Sequence, residues 1–356
     1  MTYGLPTKRI SRNVLITVLV AIACLCSIIT TTEVHAAGKS VLPTDPNINY
    51  VGRWDTSSST VYTSYWPGAY FTTTFTGTTA SIKLAHAANI YVLIDNGKDT
   101  FYANAIGTVN LTPTPLAAGN HALRVAAYSE HDDIAFQGLV LDAGAKTVAT
   151  PISSQLIEFV GDSITAGATD TKRALSDYAW LIGENLGVQH TQIAQGGICL
   201  TDNVQCGSPN AIGMSRAYFK LQTVYFPNSP AWDFSRYRPR IIVINLGTND
   251  AGYHVSDATF ESTYITFLQN IHAKFPNTHI VVLRTFRGTK AAPTLAAVKA
   301  ANAAGDNNVR YIDTTGWITS ADLNSGPHPS DAGHVKIANR LGPILAPIMG
   351  LTWKAI

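Results

Sequence analysis

Charge is what this sequence has least of. Asp, Glu, Lys and Arg together make up 13% of its 356 residues, 25 basic against 23 acidic. So few charges exclude a disordered, charge-extended chain, and a balance of +2 argues against a basic surface for nucleic acid. Methionine (3) and cysteine (4) are scarce beside abundant Thr, Ala and Gly, the composition of a secreted, β-rich protein. Several chemistries are missing by pattern. No two glycines are spaced Gly-x-Gly, which removes the dinucleotide fingerprint, and there is no Walker A motif and no His-Glu-x-x-His. The Gly-x-Ser-x-Gly elbow is also missing. No internal repeat or low-complexity segment stands out.

What is present begins with a leader. Lys8, Arg9 and Arg12 precede an apolar run from Val14 to Ile29, and Val34-His35-Ala36 follows a polar stretch. This is the order of a secretory signal peptide over residues 1–36, with cleavage after Ala36. A signal anchor is the rival, although sixteen residues fall short of the roughly 18–20 that span a bilayer. Lipid attachment at Cys24 is a third reading. Removing Lys8, Arg9, Arg12 and Glu33 with the leader leaves 22 basic and 22 acidic residues. The mature chain is then neutral, so neither nucleic acid nor an acidic membrane is an expected partner. Its remaining cysteines, Cys199 and Cys206, lie close together in a Gly-rich segment. In an oxidising compartment they are expected to form a disulfide, and with no His nearby they argue against zinc.

Two regions of unlike period follow. Over 41–150, short alternating runs (Phe71–Phe75, Ala80–Leu84, Tyr91–Ile94, Ala122–Ala126, Phe136–Leu141) are broken by turns such as Asp95-Asn96-Gly97. They predict an antiparallel β-sandwich, a jelly roll. The dense aromatics Trp54, Tyr62, Tyr65, Trp66, Tyr70 and Phe71 are read as core, with Trp66 the best candidate for stacking on a sugar. From 151 to 356, apolar strands alternate with helices: Leu156–Val160, His190–Ala194, Ile241–Leu246, Ile280–Leu283 and Val309–Ile312. That alternation predicts a five-stranded parallel sheet covered on both faces. Ser176 is expected to cap the first helix, Ser256 another, and Ser330 the last.

In such sheets a site forms beyond the carboxyl ends of the strands. There the chain places Gly161-Asp162-Ser163, Gln195-Gly196-Gly197 and Gly247-Thr248-Asn249-Asp250, while His328-Pro329 enters the last helix. A hydroxyl, an imidazole, an amide and a Gly-rich backbone are the parts that nucleophilic ester cleavage needs.

These four blocks, in order over residues 156–345, resemble the SGNH, or GDSL, hydrolase superfamily, whose fold is a flavodoxin-like three-layer α/β domain. The preceding region, with Gly52-Arg53-Trp54 and Trp66-Pro67-Gly68, resembles the N-terminal jelly roll of carbohydrate esterase family 2. By that resemblance Ser163 is the nucleophile and His328 the general base. The backbone N–H groups of Ser163 and Gly197, with the Asn249 side chain, form the oxyanion hole, and Gly196 is a rival to Gly197. The family's Asp three residues before the His is replaced by Ser325. Either a backbone carbonyl orients His328, or Asp322 or Asp331 does so, though Asp331 also suits the first turn of the last helix. Asp250 is read as a loop cap and His334 as a helix or core residue, not a metal ligand. The resemblance implies a secreted, extracellular, monomeric, cofactor-free and metal-free esterase acting on acetylated polysaccharide or oligosaccharide. The rivals are a short-chain lipid or aryl esterase and a catalytically silent carbohydrate-binding protein.

Overall fold

In this computed structural model residues 1–4 and 38–356 are described. The expected leader and its cleavage point fall almost wholly outside the described residues.

Residues 39–148 build an antiparallel sheet from β1 (Lys39–Val41), β2 (Asn49–Val51), β3 (Trp54–Asp55), β4 (Tyr62–Ser64), β5 (Tyr70–Gly77), β6 (Ala80–Ile94), β7 (Thr100–Asn110), β8 (Gly119–Ala127), β9 (Ala135–Leu141) and β10 (Thr147–Val148). The strand order is β10-β5-β8-β6-β9-β4-β3, with β2 on β5, β1 on β9 and β7 on β6. Alternation in β5 buries Phe71, Thr73 and Phe75, and together with Trp54, Val125 and Phe136 they fill the interior. The expected runs Ala80–Leu84 and Tyr91–Ile94 are one 15-residue strand whose register shifts between Leu84 and Ala88. Its first half pairs with β9 and its second with β8. The sandwich is therefore a single sheet curled into a near-barrel, the irregularity in β6 supplying the bend.

The second half is the expected α/β domain. Strands β11 (Leu156–Gly161), β12 (Gln189–Ala194), β13 (Ile241–Asn245), β14 (His279–Leu283) and β15 (Val309–Ile312) run parallel in the order β12-β11-β13-β14-β15. This is the 2-1-3-4-5 order of a flavodoxin-like sheet. Every residue of β13 is buried because its alternate side chains face opposite helical layers. Ile242 and Ile244 pack toward α4 (Asp257–Lys274) and α5 (Ala291–Ala303). Ile241 and Val243 pack toward α1 (Tyr178–Leu186) and α6 (Asp331–Leu345). The short helices α2 (Met214–Ala217) and α3 (Thr248–Gly252) complete the order, and β16 (Leu323–Ser325) pairs with β17 (His328–Pro329) just before α6. Ser256 and Ser330 cap α4 and α6 as expected. The cap of α1 is Asp177, whose side chain accepts from Ala179 and Trp180 N–H, while Ser176 Oγ accepts from Lys172 N–H.

Arg53 joins the two halves, which belong to one compact unit. Fully buried, it donates to the Lys220 carbonyl at 2.7 Å, to the Tyr218 carbonyl and to Tyr237 Oη, and it lies 3.8 Å from the buried Glu158. A charge so deeply placed is tolerated only with partners, and removing one of them commonly costs 3–5 kcal/mol. Trp66 is core as well: it is 1% exposed and its indole donates to the Leu221 carbonyl at 2.8 Å, so it offers no stacking face.

Candidate active site

Ser163 follows β11 at the carboxyl edge of the parallel sheet, in a tight turn that the sequence itself builds. Asp162 is buried and accepts the Ile164 N–H at 2.9 Å, while the Ser163 carbonyl accepts from Ala168 N–H at 3.0 Å. Burial raises the Asp162 carboxyl to about 7, helped by the nearby charge of Asp250. Ser163 Oγ lies 2.8 Å from His328 Nε2, across 165 residues of sequence.

His328 sits on β17 in a hairpin whose turn is Gly326-Pro327, with Gly326 at φ +53°. That turn brings the Ser325 carbonyl to 3.1 Å from His328 Nδ1. A carbonyl only accepts, so Nδ1 carries the proton and Nε2 keeps its lone pair for the Ser163 hydroxyl. Neither Asp322 nor Asp331, the two acids offered as alternatives to a carbonyl, makes a hydrogen bond to His328. Asp322 accepts the Thr319 N–H at 2.8 Å and pairs with Lys336, and these bonds lower its carboxyl below the ordinary value. Asp331 opens α6 and accepts the Thr171 N–H at 3.0 Å.

The second loop is a four-residue turn, Gln195 to Ile198, closed by the Ile198 N–H on the Gln195 carbonyl at 3.3 Å. Gly197 stands third in it with φ +72°, the conformation a type II turn requires and glycine adopts without strain. Gly196 and Gly197 are distinguished by their partners. The Gly196 N–H donates to Glu130 Oε2 at 2.8 Å, whereas the Gly197 N–H makes no hydrogen bond among the described residues. Glu130 comes from the turn between β8 and β9 in the N-terminal half, and nothing in its local sequence marks it.

The third loop starts at Gly247 (φ +121°) and carries Asn249, whose Nδ2 donates to the Ile198 carbonyl at 2.9 Å. Asp250 is structural: its carboxylate accepts the Leu200 and Thr201 N–H groups at 2.8 and 3.0 Å. Cys199 and Cys206 are joined by a disulfide with Cα atoms 6.1 Å apart, and the ring they close lays Gly207 against Gly197. His334 is a core residue of α6, 3.2 Å from Asp170, and its Nδ1 accepts the Tyr178 N–H at 3.1 Å. Among the described residues no group of three His, Cys, Asp or Glu is placed to hold a metal ion, and no helix is long and apolar enough to cross a membrane.

The structure thus brings Ser163 and His328 into hydrogen-bond contact and Asn249 onto the turn that carries Gly197, while Asp322 and Asp331 bond elsewhere. Beside the nucleophile loop a cleft of about 520 Å³ opens between the two halves of the chain, walled by Asn89, Asn104, Tyr128, Glu130, Ala168 and Arg173.

Known proteins share both halves. The model of the GDSL-like lipase/acylhydrolase family matches residues 159–336, and that of the carbohydrate esterase 2 N-terminal domain matches residues 50–151. Cellulase/esterase CelE of Acetivibrio thermocellus is 29% identical over 321 residues, covering 83% of this chain, which spans 39% of the length of that relative. An acetylxylan esterase/glucomannan deacetylase of Cellvibrio japonicus is 26% identical over 342 residues, covering 90% of this chain and 94% of that protein. A family two carbohydrate esterase from Clostridium thermocellum, solved in complex with cellohexaose, superposes with a TM-score of 0.74 at 27% identity, over 85% of this chain and 99% of that one. The chain belongs to the GDSL-like lipase/acylhydrolase family, with a carbohydrate esterase 2 N-terminal domain ahead of the hydrolase domain.

Proposed function

We propose that this chain is a secreted polysaccharide O-deacetylase that works through an acetyl-enzyme on Ser163. The observation that carries the proposal is the Nε2 to Oγ approach of 2.8 Å, with Nδ1 turned to the Ser325 carbonyl. His328 takes the Ser163 proton as Oγ attacks the acetyl carbonyl. The oxygen that becomes negative is met by the Ser163 and Gly197 N–H groups and the Asn249 amide. Each such fixed donor is worth about 10²–10³ in turnover. Collapse of the tetrahedral adduct expels the sugar oxygen, which recovers the proton from His328. Water then attacks the acetyl-enzyme, again losing its proton to His328, and acetate leaves.

A backbone carbonyl fixes the tautomer as well as a carboxylate does, but it lends less charge to the imidazolium. The dyad therefore keeps orientation and gives up part of the electrostatic gain. Support for a carbohydrate substrate comes from the esterases named above and from a mature chain of zero formal charge, which suits an uncharged polymer. No step calls for a cofactor or metal, and a monomer suffices.

The test is acetate release from acetylated glucomannan or xylan, compared with hydrolysis of tributyrin. Faster release from the polysaccharides, abolished in Ser163→Ala, is expected. A preference for tributyrin would overturn the substrate class, and a folded wild type inert toward every acetyl ester would overturn the enzyme.

A further inference from the structure

The carboxylate of Glu130 reaches from the segment between β8 and β9, in the N-terminal half, into the loop that carries Gly197. Its side chain is only 11% exposed, Oε2 accepts the Gly196 N–H at 2.8 Å, and Oε1 lies 3.5 Å from His131 Nε2. A Cβ added to Gly196 would stand 2.5 Å from Oε1, so the carboxylate is packed directly on the Gly196 backbone. Burial raises its carboxyl above the ordinary value, while the Gly196 N–H, His131 and Arg173 pull it back. A carboxylate held this deep is costly unless its partners are fixed, and the one fixed by covalent chain is a peptide next to the proposed oxyanion donor.

The geometry of that turn makes the contact consequential. Types I and II differ by a flip of the central peptide. Here the central peptide is the one bearing the Gly197 N–H. Flipped, it would aim a carbonyl where the donor now stands. Asn249 holds the far side of the turn through the Ile198 carbonyl at 2.9 Å, and Glu130 holds the near side.

We propose that Glu130 is a positioning residue for ester hydrolysis, holding the Gln195–Gly196 peptide and through it the adjoining central peptide of the turn, so that the Gly197 N–H faces the oxyanion. The proposal rests on the assignment of Ser163 and Gly197 above. It makes the N-terminal domain part of the reaction machinery: the oxyanion hole is completed only when both halves of the chain are in register.

The experiment uses the full chain with Glu130→Gln, Glu130→Asp and Glu130→Ala, assayed on 4-nitrophenyl acetate with thermal melts in parallel. Gln keeps an acceptor at the same reach, so kcat stays within about threefold of wild type, the effect of exchanging one acceptor for a weaker one. Asp withdraws the acceptor by one methylene and Ala removes it, so kcat falls about 10–100-fold, part of the value of a full donor. KM stays close to wild type in all three. Affinity for phenylboronic acid, which forms a tetrahedral adduct on a serine Oγ, falls in step with kcat. Folded Asp and Ala variants with wild-type kcat would overturn the proposal, as would a Gln variant as impaired as Ala, or a loss confined to KM. Should the Ala variant fail to fold, the contrast between Asp and Gln decides. A wild type inert on acetyl esters would instead refute the underlying assignment, and this one with it.

Discussion

Replacing Gly197 with alanine loads two constraints onto one peptide. The residue has φ +72°, where a side chain costs about 1–2 kcal/mol. The added Cβ would also stand 2.6, 2.8 and 3.0 Å from the carbonyl carbon, Cα and oxygen of Gly207. These are backbone atoms beside a disulfide-closed ring, so no side-chain rotation relieves the contact. The accessible relief is a flip of the Gly196–Gly197 peptide, which turns the donor away from Ser163. Loss of one fixed donor costs about 10²–10³ in kcat, or about 2.7–4 kcal/mol of barrier. The strain alone, spread over a chain of this size, lowers the melting temperature by only a few degrees. Turnover of 4-nitrophenyl acetate measured beside a thermal melt separates the two, and activity is expected to fall far more than stability. Gly207→Ala is the companion: its Cβ meets Gly197 Cα at 3.1 Å and Tyr253 Oη at 3.2 Å, and a smaller loss is expected. A folded Gly197→Ala protein with wild-type kcat would refute the assignment of this turn.

Opening the disulfide by Cys199→Ser with Cys206→Ser frees a ring of about eight residues, which the chain-entropy relation values at about 2.5 kcal/mol. A lower melting temperature and a reduced kcat should appear together, because Gly207 then no longer backs Gly197; an unchanged melt would contradict this. Asp322→Asn and Asp331→Asn should leave kcat near wild type, whereas a loss approaching 10⁴ in either would restore a carboxylate to the role given to the Ser325 carbonyl. Asp162, raised to about 7 in the folded chain, favours its protonated form there more than in the unfolded chain. Its contribution is therefore destabilising above pH 7 and relieved as pH falls toward 4, by up to about 4 kcal/mol. Asp162→Asn should flatten the decline in stability from pH 5 to pH 8, and an unchanged slope in urea melts would refute the shift.

The parts of this molecule that the sequence announces are those whose chemistry lies in side chains of one segment. The apolar run Ile241–Leu246 could only be a strand covered on both faces, and Ser256 and Ser330 stood where caps belong. The four blocks around Ser163, Gly197, Asn249 and His328 came with their order and spacing. What was hidden depends on backbone or on distant partners. The group that faces His328 Nδ1 is a carbonyl, which has no side-chain identity to find. Glu130 acts on a peptide 66 residues away with no pattern linking them. Strand β7 carries no signal in the sequence because it is an exposed edge in which only Ala105 is buried, so no alternation shows. The continuity of β6 is obscured by its own bulge, and Ser176 and Asp177 are both cap-type residues, so the cap is set by the inward turn of the Asp177 side chain, a tertiary fact.

The central claim is that Ser163 is activated by His328 alone, its imidazole held by a carbonyl. Labelling with diethyl 4-nitrophenyl phosphate, followed by peptide mass spectrometry, tests it most directly, since phosphorylation traps an activated serine. The account predicts a stable adduct on Ser163 in the wild type and in the Asp322→Asn and Asp331→Asn proteins, and none in Ser163→Ala or His328→Ala. An adduct on a different residue, or labelling of His328→Ala at the wild-type rate, would contradict it.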